Sequence, residues 1–151
     1  MMIDNPSYGF IAPNGAGLTI TPQPDGRPLV EVVAQDRHDT AVLLYLAAIT
    51  AVRFAEDLDR AVEAAANGDT TVGVSDPRID TAGDSIQVVP GPDDGIEPRV
   101  TISVEEHRGD PHGPASVAVE VPLNEAADMA AALRTAASGS AAARTQNGGG
   151  Q

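Results

Sequence analysis

Thr21-Pro22-Gln23-Pro24-Asp25 returns later in the chain as Val89-Pro90-Gly91-Pro92-Asp93, and what flanks the first copy also flanks the second. Arg27-Pro28-Leu29-Val30-Glu31-Val32-Val33 is answered by Glu97-Pro98-Arg99-Val100-Thr101-Ile102-Ser103. Further on, Ala55-Glu56-Asp57-Leu58 and Val62 align with Ala126-Ala127-Asp128-Met129 and Leu133. On this alignment the offset is 68 residues at the Pro-x-Pro-Asp turn, 70 in the following strand and 71 in the helix. It changes only in Gly/Pro/Asp stretches, where loops absorb insertions at small entropic cost. The chain therefore reads as a tandem duplication of a unit of roughly 70 residues.

Each unit has its own local signals. Leu18–Thr21 alternates apolar and polar residues like a short strand, and Pro22-Gln23-Pro24-Asp25-Gly26 is a turn in which proline fixes φ and Asp-Gly supplies positive φ. Leu29–Gln35 reads as a second strand and Val42–Thr50 as a third. Ala51–Ala66 carries Ala51, Ala55, Leu58, Val62 and Ala65 at helical spacing and stops at Asn67-Gly68. Thr40–Ala66 is also compatible with one long helix. The β-branched alternation of Val117, Val119 and Val121 before Pro122 selects strand followed by helix in the second unit, and by analogy in the first. The second unit repeats the order with Ile86–Val89, Arg99–Glu106, Val117–Val121 and a helix bearing Leu123, Ala126, Met129, Ala130, Leu133 and Ala137.

The expected fold is α+β, a tandem βββα duplication with a mainly antiparallel sheet and two helices on one face. The expected division is 1–67 for the first unit with a lead-in, in which Tyr8, Phe10 and Ile11 are candidate anchors. A linker at 68–84, the second unit at 85–137 and an Ala/Ser/Gly-rich flexible tail at 138–151 follow. A single six-stranded sheet is the economical arrangement, and two separate three-stranded sheets the alternative. A long first helix would give α-β-β-β-α, the order of double-stranded-RNA-binding domains, whose function the negative charge opposes.

Val117-Ala118-Val119-Glu120-Val121-Pro122-Leu123-Asn124-Glu125-Ala126, continued by Met129-Ala130-Ala131-Ala132-Leu133, resembles a small actinobacterial or actinophage domain of unknown function. In that domain a V-x-V/L strand runs into an E-A-x-x-L-A-x-x-L-x-x-A-A helix. The resemblance spans about 40 residues of the second unit. Arg53-Phe54 departs from it in the first. It implies architecture and carries no activity.

Composition narrows the function classes. The 151 residues contain 22 acids against nine basic residues, a net charge of −13, and every basic residue is arginine. The charge is shared between the halves, so unaided binding to nucleic acid or to an anionic membrane is disfavoured. No cysteine is present, which excludes disulfides and Cys-ligated metals. The N-terminus shows no signal-peptide pattern and no apolar run approaches a bilayer span, so a cytoplasmic location is expected.

Candidate chemistry is sparse. His107, Asp110 and His112 cluster in a Gly/Pro loop without the convergent geometry and supporting shell of a metal site, so no metal or other cofactor is expected. Arg108-Gly109-Asp110 matches an adhesion tripeptide but lacks a secretory context. Arg37, Asp39, Arg108 and Asp110 recur as Arg-x-Asp in both units and are weak candidates for contacting a protein partner. Asp57 and Asp128 read as early-helix acids favoured by the helix dipole rather than as paired catalytic carboxylates. No phosphate-loop, dinucleotide, nucleophile-elbow or zinc-protease pattern occurs. The expected function is a non-catalytic protein-interaction module that associates with itself, most simply as a homodimer. An acidic inhibitor or DNA mimic is the alternative, and an enzyme with a pocket between the units the least favoured.

Overall fold

Among the described residues, eight strands and two helices follow each other in the order ββββα-ββββα. The computed structural model describes residues 8–22, 29–38, 40–68, 76–81, 83–91, 97–106 and 115–149. The first unit comprises β1 (Tyr8–Ile11), β2 (Gly17–Pro22), β3 (Leu29–Gln35), β4 (Ala41–Ala47) and α1 (Ala48–Ala66). The second comprises β5 (Arg78–Ile79), β6 (Ser85–Pro90), β7 (Arg99–Glu105), β8 (Ser116–Pro122) and α2 (Leu123–Gly149). Strand followed by helix holds in both units, and each helix begins at the residue after its strand.

The strands form two four-stranded antiparallel meanders, β1-β2-β3-β4 and β5-β6-β7-β8, rather than one six-stranded sheet. Each unit thus gains a first strand. β1 arises from the expected lead-in and β5 from the expected linker at 68–84. The turns that join them to β2 and β6 are copies of each other. Ala12 N–H donates to the Ala16 carbonyl and Gly15 N–H to the Ala12 carbonyl, just as Asp80 donates to Asp84 and Gly83 to Asp80. Gly15 and Gly83 both sit at positive φ, 92° and 93°, the conformation such tight turns require of one residue. At the other end, α2 continues to Gly149 through the stretch expected to be a tail. Ala141, Ala142 and Ala143, of the best helix-forming type, lie within it.

Cross-strand registers correct the helix alignment. Pro22 pairs Val30 and Pro90 pairs Val100, while Val30 pairs Leu46 and Val100 pairs Val121. The offset is therefore 68 in β2/β6 and 70 in β3/β7, as expected, but 75 in β4/β8. The added five residues lie between Asp36–Thr40 and Glu106–Ala115, two loops closed by equivalent backbone bonds. Because each helix follows its strand without a gap, 75 carries into α1 and α2. Buried Ala51, Phe54, Ala55, Leu58 and Ala61 then match buried Ala126, Met129, Ala130, Leu133 and Ala136. Leu58 and Met129 are both core residues, yet Leu58 corresponds to Leu133 and Phe54 to Met129. The sequence alignment at 71 slipped by about one helical turn, a shift that keeps the same face inward.

Period-two burial builds one apolar face on each sheet: Leu18, Ile20, Val30, Val32, Val42, Leu44 and Leu46 on the first, and Ile86, Val88, Val100, Ile102, Val104, Val117, Val119 and Val121 on the second. The helices pack against each other and cross over. α1 lies chiefly against β6 and β7 of the second sheet, and α2 against β2 and β3 of the first. Each unit is completed by the other unit's helix, giving one continuous core with pseudo-twofold symmetry. Alanines along both helices allow this close approach. Among the described residues no helix is long and apolar enough to cross a membrane.

Candidate functional site

Since the inner faces are consumed by the core, surface chemistry must come from the outer faces and the seams. On the first sheet the outward rows, read across the strands, are Ile11–Gly17–Gln35–Ala41, Gly9–Thr19–Val33–Leu43 and Thr21–Glu31–Tyr45. Glu31 is the single charge among them. On the second sheet the matching rows are Ile79–Ser85–Glu105–Ser116, Gln87–Ser103–Ala118 and Val89–Thr101–Glu120. Thr19, Val33 and Leu43 of the middle row thus correspond to Gln87, Ser103 and Ala118, so the second sheet has a polar residue in place of Val33 and a small one in place of Leu43.

Glycine shapes the first face. A Cβ on Gly17 would lie 3.1 Å from the carbonyl oxygen of Phe10, and Gly9 has open space above it. The result is a shallow hollow of about 670 Å³ bounded by Gly9, Ile11, Gly17, Thr19, Val33 and Gln35. Ile11 is 78% exposed at its edge and Leu43 37% exposed on the next strand pair. Isolated exposed apolar residues are ordinary, whereas a contiguous run on one sheet face is the signature of a contact surface.

A second hollow of about 270 Å³ lies between the units, where Ala12, Pro13 and Asn14 approach Glu97, Pro98, Arg99 and Glu120. Arg99 Nε donates to Glu120 Oε1 at 2.5 Å, so the cation and a carboxylate in this hollow engage each other. The pseudosymmetric seam is closed tightly. Asp80 Oδ2 accepts from Tyr45 N–H at 3.1 Å, and Thr81 N–H donates to the Tyr45 carbonyl at 3.4 Å. Ala12 has no acceptor side chain and Pro13 no N–H, so the first turn cannot reproduce that clamp.

Of the four predicted Arg-x-Asp residues, Arg37 lies among the described residues. Arg37 is exposed at the β3–β4 tip, its stem packed over Gly15 and its Nε donating to His38 Nε2 at 3.2 Å. Asp36, not a predicted site residue, organises that tip by accepting from the N–H groups of His38 and Thr40 at 2.8 and 2.9 Å. Those bonds, Thr40's first, hold its carboxyl below the usual carboxylate range. Asp39, Arg108 and Asp110 lie outside the described residues, as do His107 and His112.

Asp57 and Asp128 are also not equivalent. Asp57 lies well inside α1, fully buried, where Arg78 of β5 donates to both its oxygens at 2.8 and 2.9 Å and Arg60 joins it. Asp128 is exposed on α2. Sequence reasoning missed Arg78 because β5 is only two residues long. Asp80 and Asp84 are buried as well, with Asp80 Oδ1 accepting from Asp84 N–H at 2.9 Å. Several acids are thus internal fasteners and unavailable to a partner. No protein-family model matches the chain, and no curated protein does.

Proposed function

We propose that the protein is a non-catalytic protein-interaction module whose contact surface is the outer face of its first sheet, and that it associates with itself through that face. The contrast between the two outer faces carries the reading. Two sheets of one ancestry share their inner faces and an exposed isoleucine at the outer edge, Ile11 and Ile79, but only the first sets Val33 and Leu43 in its outer rows, with Val33 and Ile11 on a glycine-floored hollow and Glu31 as the single charge in those rows. In a chain of net charge −13, a face whose rows hold Glu31 alone, with Asp36 at the end of the hollow, is where a second acidic copy can approach with least repulsion. The edge strand β1 borders the same hollow and leaves backbone groups for further pairing.

The burial of Asp57, Asp80 and Asp84 weighs against a DNA mimic, whose carboxylates have to stand outward in a stripe. The inter-unit hollow is the best place for an enzyme reading, but its carboxylate Glu120 is tied to Arg99. Light scattering over a concentration series tests the proposal. The wild-type mass should rise with concentration, and Leu43→Asp should keep it at one chain. A wild type that stays at one chain throughout, or a Leu43→Asp variant that associates equally well, would remove it.

A further inference from the structure

The crossed helices set the two units against each other along one boundary, and the residues on that boundary differ between its two symmetry-related halves. Arg134 Nη2 donates to Asp59 Oδ2 at 2.5 Å across α1 and α2. At the register of 75 these two residues occupy the same position in their units, so the contact lies on the pseudo-twofold axis. One half supplies the acid and the other the base. Pairing two first units would set Asp59 against Asp59, and pairing two second units would set Arg134 against Arg134.

Off the axis the same complementarity recurs. Arg78 meets Asp57 at one seam, while the positions equivalent to them at the other hold Phe10 and Ala132. Two first units would bring Phe10 to the buried Asp57 carboxylate and leave it Arg60 of its own helix alone, and two second units would leave the Arg78 guanidinium facing alanine. Tyr8 Oη donates to Glu125 Oε2, and the equivalent positions are Asp76 and Thr50. Two second units would place Asp76 towards Glu125. A buried charge that loses a partner and like charges in contact reject a wrong partner more strongly than matched pairs reward the right one.

We infer that the inter-unit boundary is a coded surface that accepts only the complementary unit, and that a second copy of the chain can supply that unit. Two chains then exchange units reciprocally, each α1 covering the second sheet of the other copy and each α2 the first. The exchanged dimer repeats every contact of the single chain, so exchange needs no new surface. This goes beyond association through the outer sheet face, which leaves each chain's core intact and is sensitive to Leu43→Asp where exchange is not.

A charge swap on the axis tests it with full-length chains. Asp59→Arg places two arginines on the axis of one chain, and Arg134→Asp places two aspartates on the axis of another. Mixed and exchanged, the two variants regain an opposite-charge pair at both axes. The two chains, made distinguishable in mass and carrying Leu43→Asp, are co-refolded from denaturant at high concentration and examined by native mass spectrometry. The expected result is a dimer population in which the mixed species exceeds the statistical half share, the excess fading toward that share at ~1 M salt as screening shortens to a few ångströms. Monomers only, or dimers in the statistical 1:2:1 ratio, would overturn the inference. The Asp59→Arg/Arg134→Asp chain, which restores the pair internally, should fold like wild type. If it folds while the mixture yields only aggregate, the exchange is likewise refuted.

Discussion

The two halves share strand order, register and turn geometry, yet each fastens its first strand to the opposite helix by different chemistry. In the first half β1 reaches α2 through the Tyr8 phenol, with Phe10 packed against the apolar core. In the second half β5 reaches α1 through Arg78, whose guanidinium clasps a carboxylate that is fully buried. β1 has four residues and an apolar side chain at the site, so burial alone can hold it. β5 has two, which is too little surface, and an ion pair substitutes for area. The comparison shows a duplicated fold keeping its inner packing while its seams and outer faces diverge. Divergence at the seams makes the halves complementary rather than interchangeable.

The largest expected effect tests whether the halves are equivalent in the first place. Leu58 and Leu133 are both fully buried and occupy one position at the register of 75. Leu58→Ala and Leu133→Ala should each cost ~2–5 kcal/mol in urea unfolding. Both values should fall in that range, their difference reporting how far each site can collapse around the cavity. A loss below ~1 kcal/mol for either would mean that its helix face is not in the core.

Next comes the seam itself. Asp57→Ala should cost about 2–3 kcal/mol, less than the ~3–5 kcal/mol of breaking a wholly buried pair. The discount arises because Arg78 remains 29% exposed and can turn toward water. Adding Arg78→Phe converts the second seam to the chemistry of the first and should recover most of that loss, since apolar replacement of a buried pair is often neutral. A double variant no more stable than Asp57→Ala would show that β5 cannot be held by packing.

How much of this could be read in advance follows from the lengths and periods of the elements. Three strands and a helix per unit were legible because alternation or helical spacing marks the elements of one copy and the repeat carries the assignment to the other, as Val117–Val121 does for Val42–Thr50. β1 and β5 were not, since a Gly-containing tetrapeptide and an Arg-Ile dipeptide carry no period. The slip in the helices has a related cause. An alanine-rich helix looks nearly the same after a shift of one turn, and only the strand register fixes the true offset. For the candidate site, loop charges drew attention to Arg37 and Asp39, whereas the contrast between outer faces needs the cross-strand rows. Those rows are set by register and invisible in the linear order.

The paired turns offer a finer test at intermediate size. Gly15 and Gly83 share a positive φ, so alanine at either should cost about 1–2 kcal/mol from the left-handed conformation alone. An alanine methyl at Gly83 would have nothing within 4 Å, while a Cβ on Gly15 would sit 2.8 Å from Arg37 Cβ. Gly15→Ala should therefore be the more damaging in thermal or urea unfolding, and Arg37→Gly should bring it down to the Gly83→Ala level. Equal losses in the two single variants would mean that Arg37 moves aside freely.

The smallest expected effect concerns the phenol that holds β1. Tyr8 Oη donates to Glu125 Oε2, and burial first, then that bond and the nearby carboxylates, raise the tyrosine pKa above its ordinary value of about 10. A raised folded-state pKa means that the folded protein holds the proton more tightly than the unfolded chain does. The stabilisation is then complete below pH ~10 and declines as pH rises above it, because the unfolded chain ionises first. Tyr8→Phe should cost about 1 kcal/mol at neutral pH, the net worth of one partly exposed hydrogen bond. More diagnostic is the slope: between pH ~9 and ~11 wild type should lose stability with rising pH more steeply than Tyr8→Phe, so that the two urea midpoints converge. The second seam has no phenol, so Arg78 and Asp57 variants should keep the wild-type slope in that window. Parallel pH profiles for wild type and Tyr8→Phe would show that the phenol does not fasten β1 to α2, and would leave Phe10 as what holds that strand.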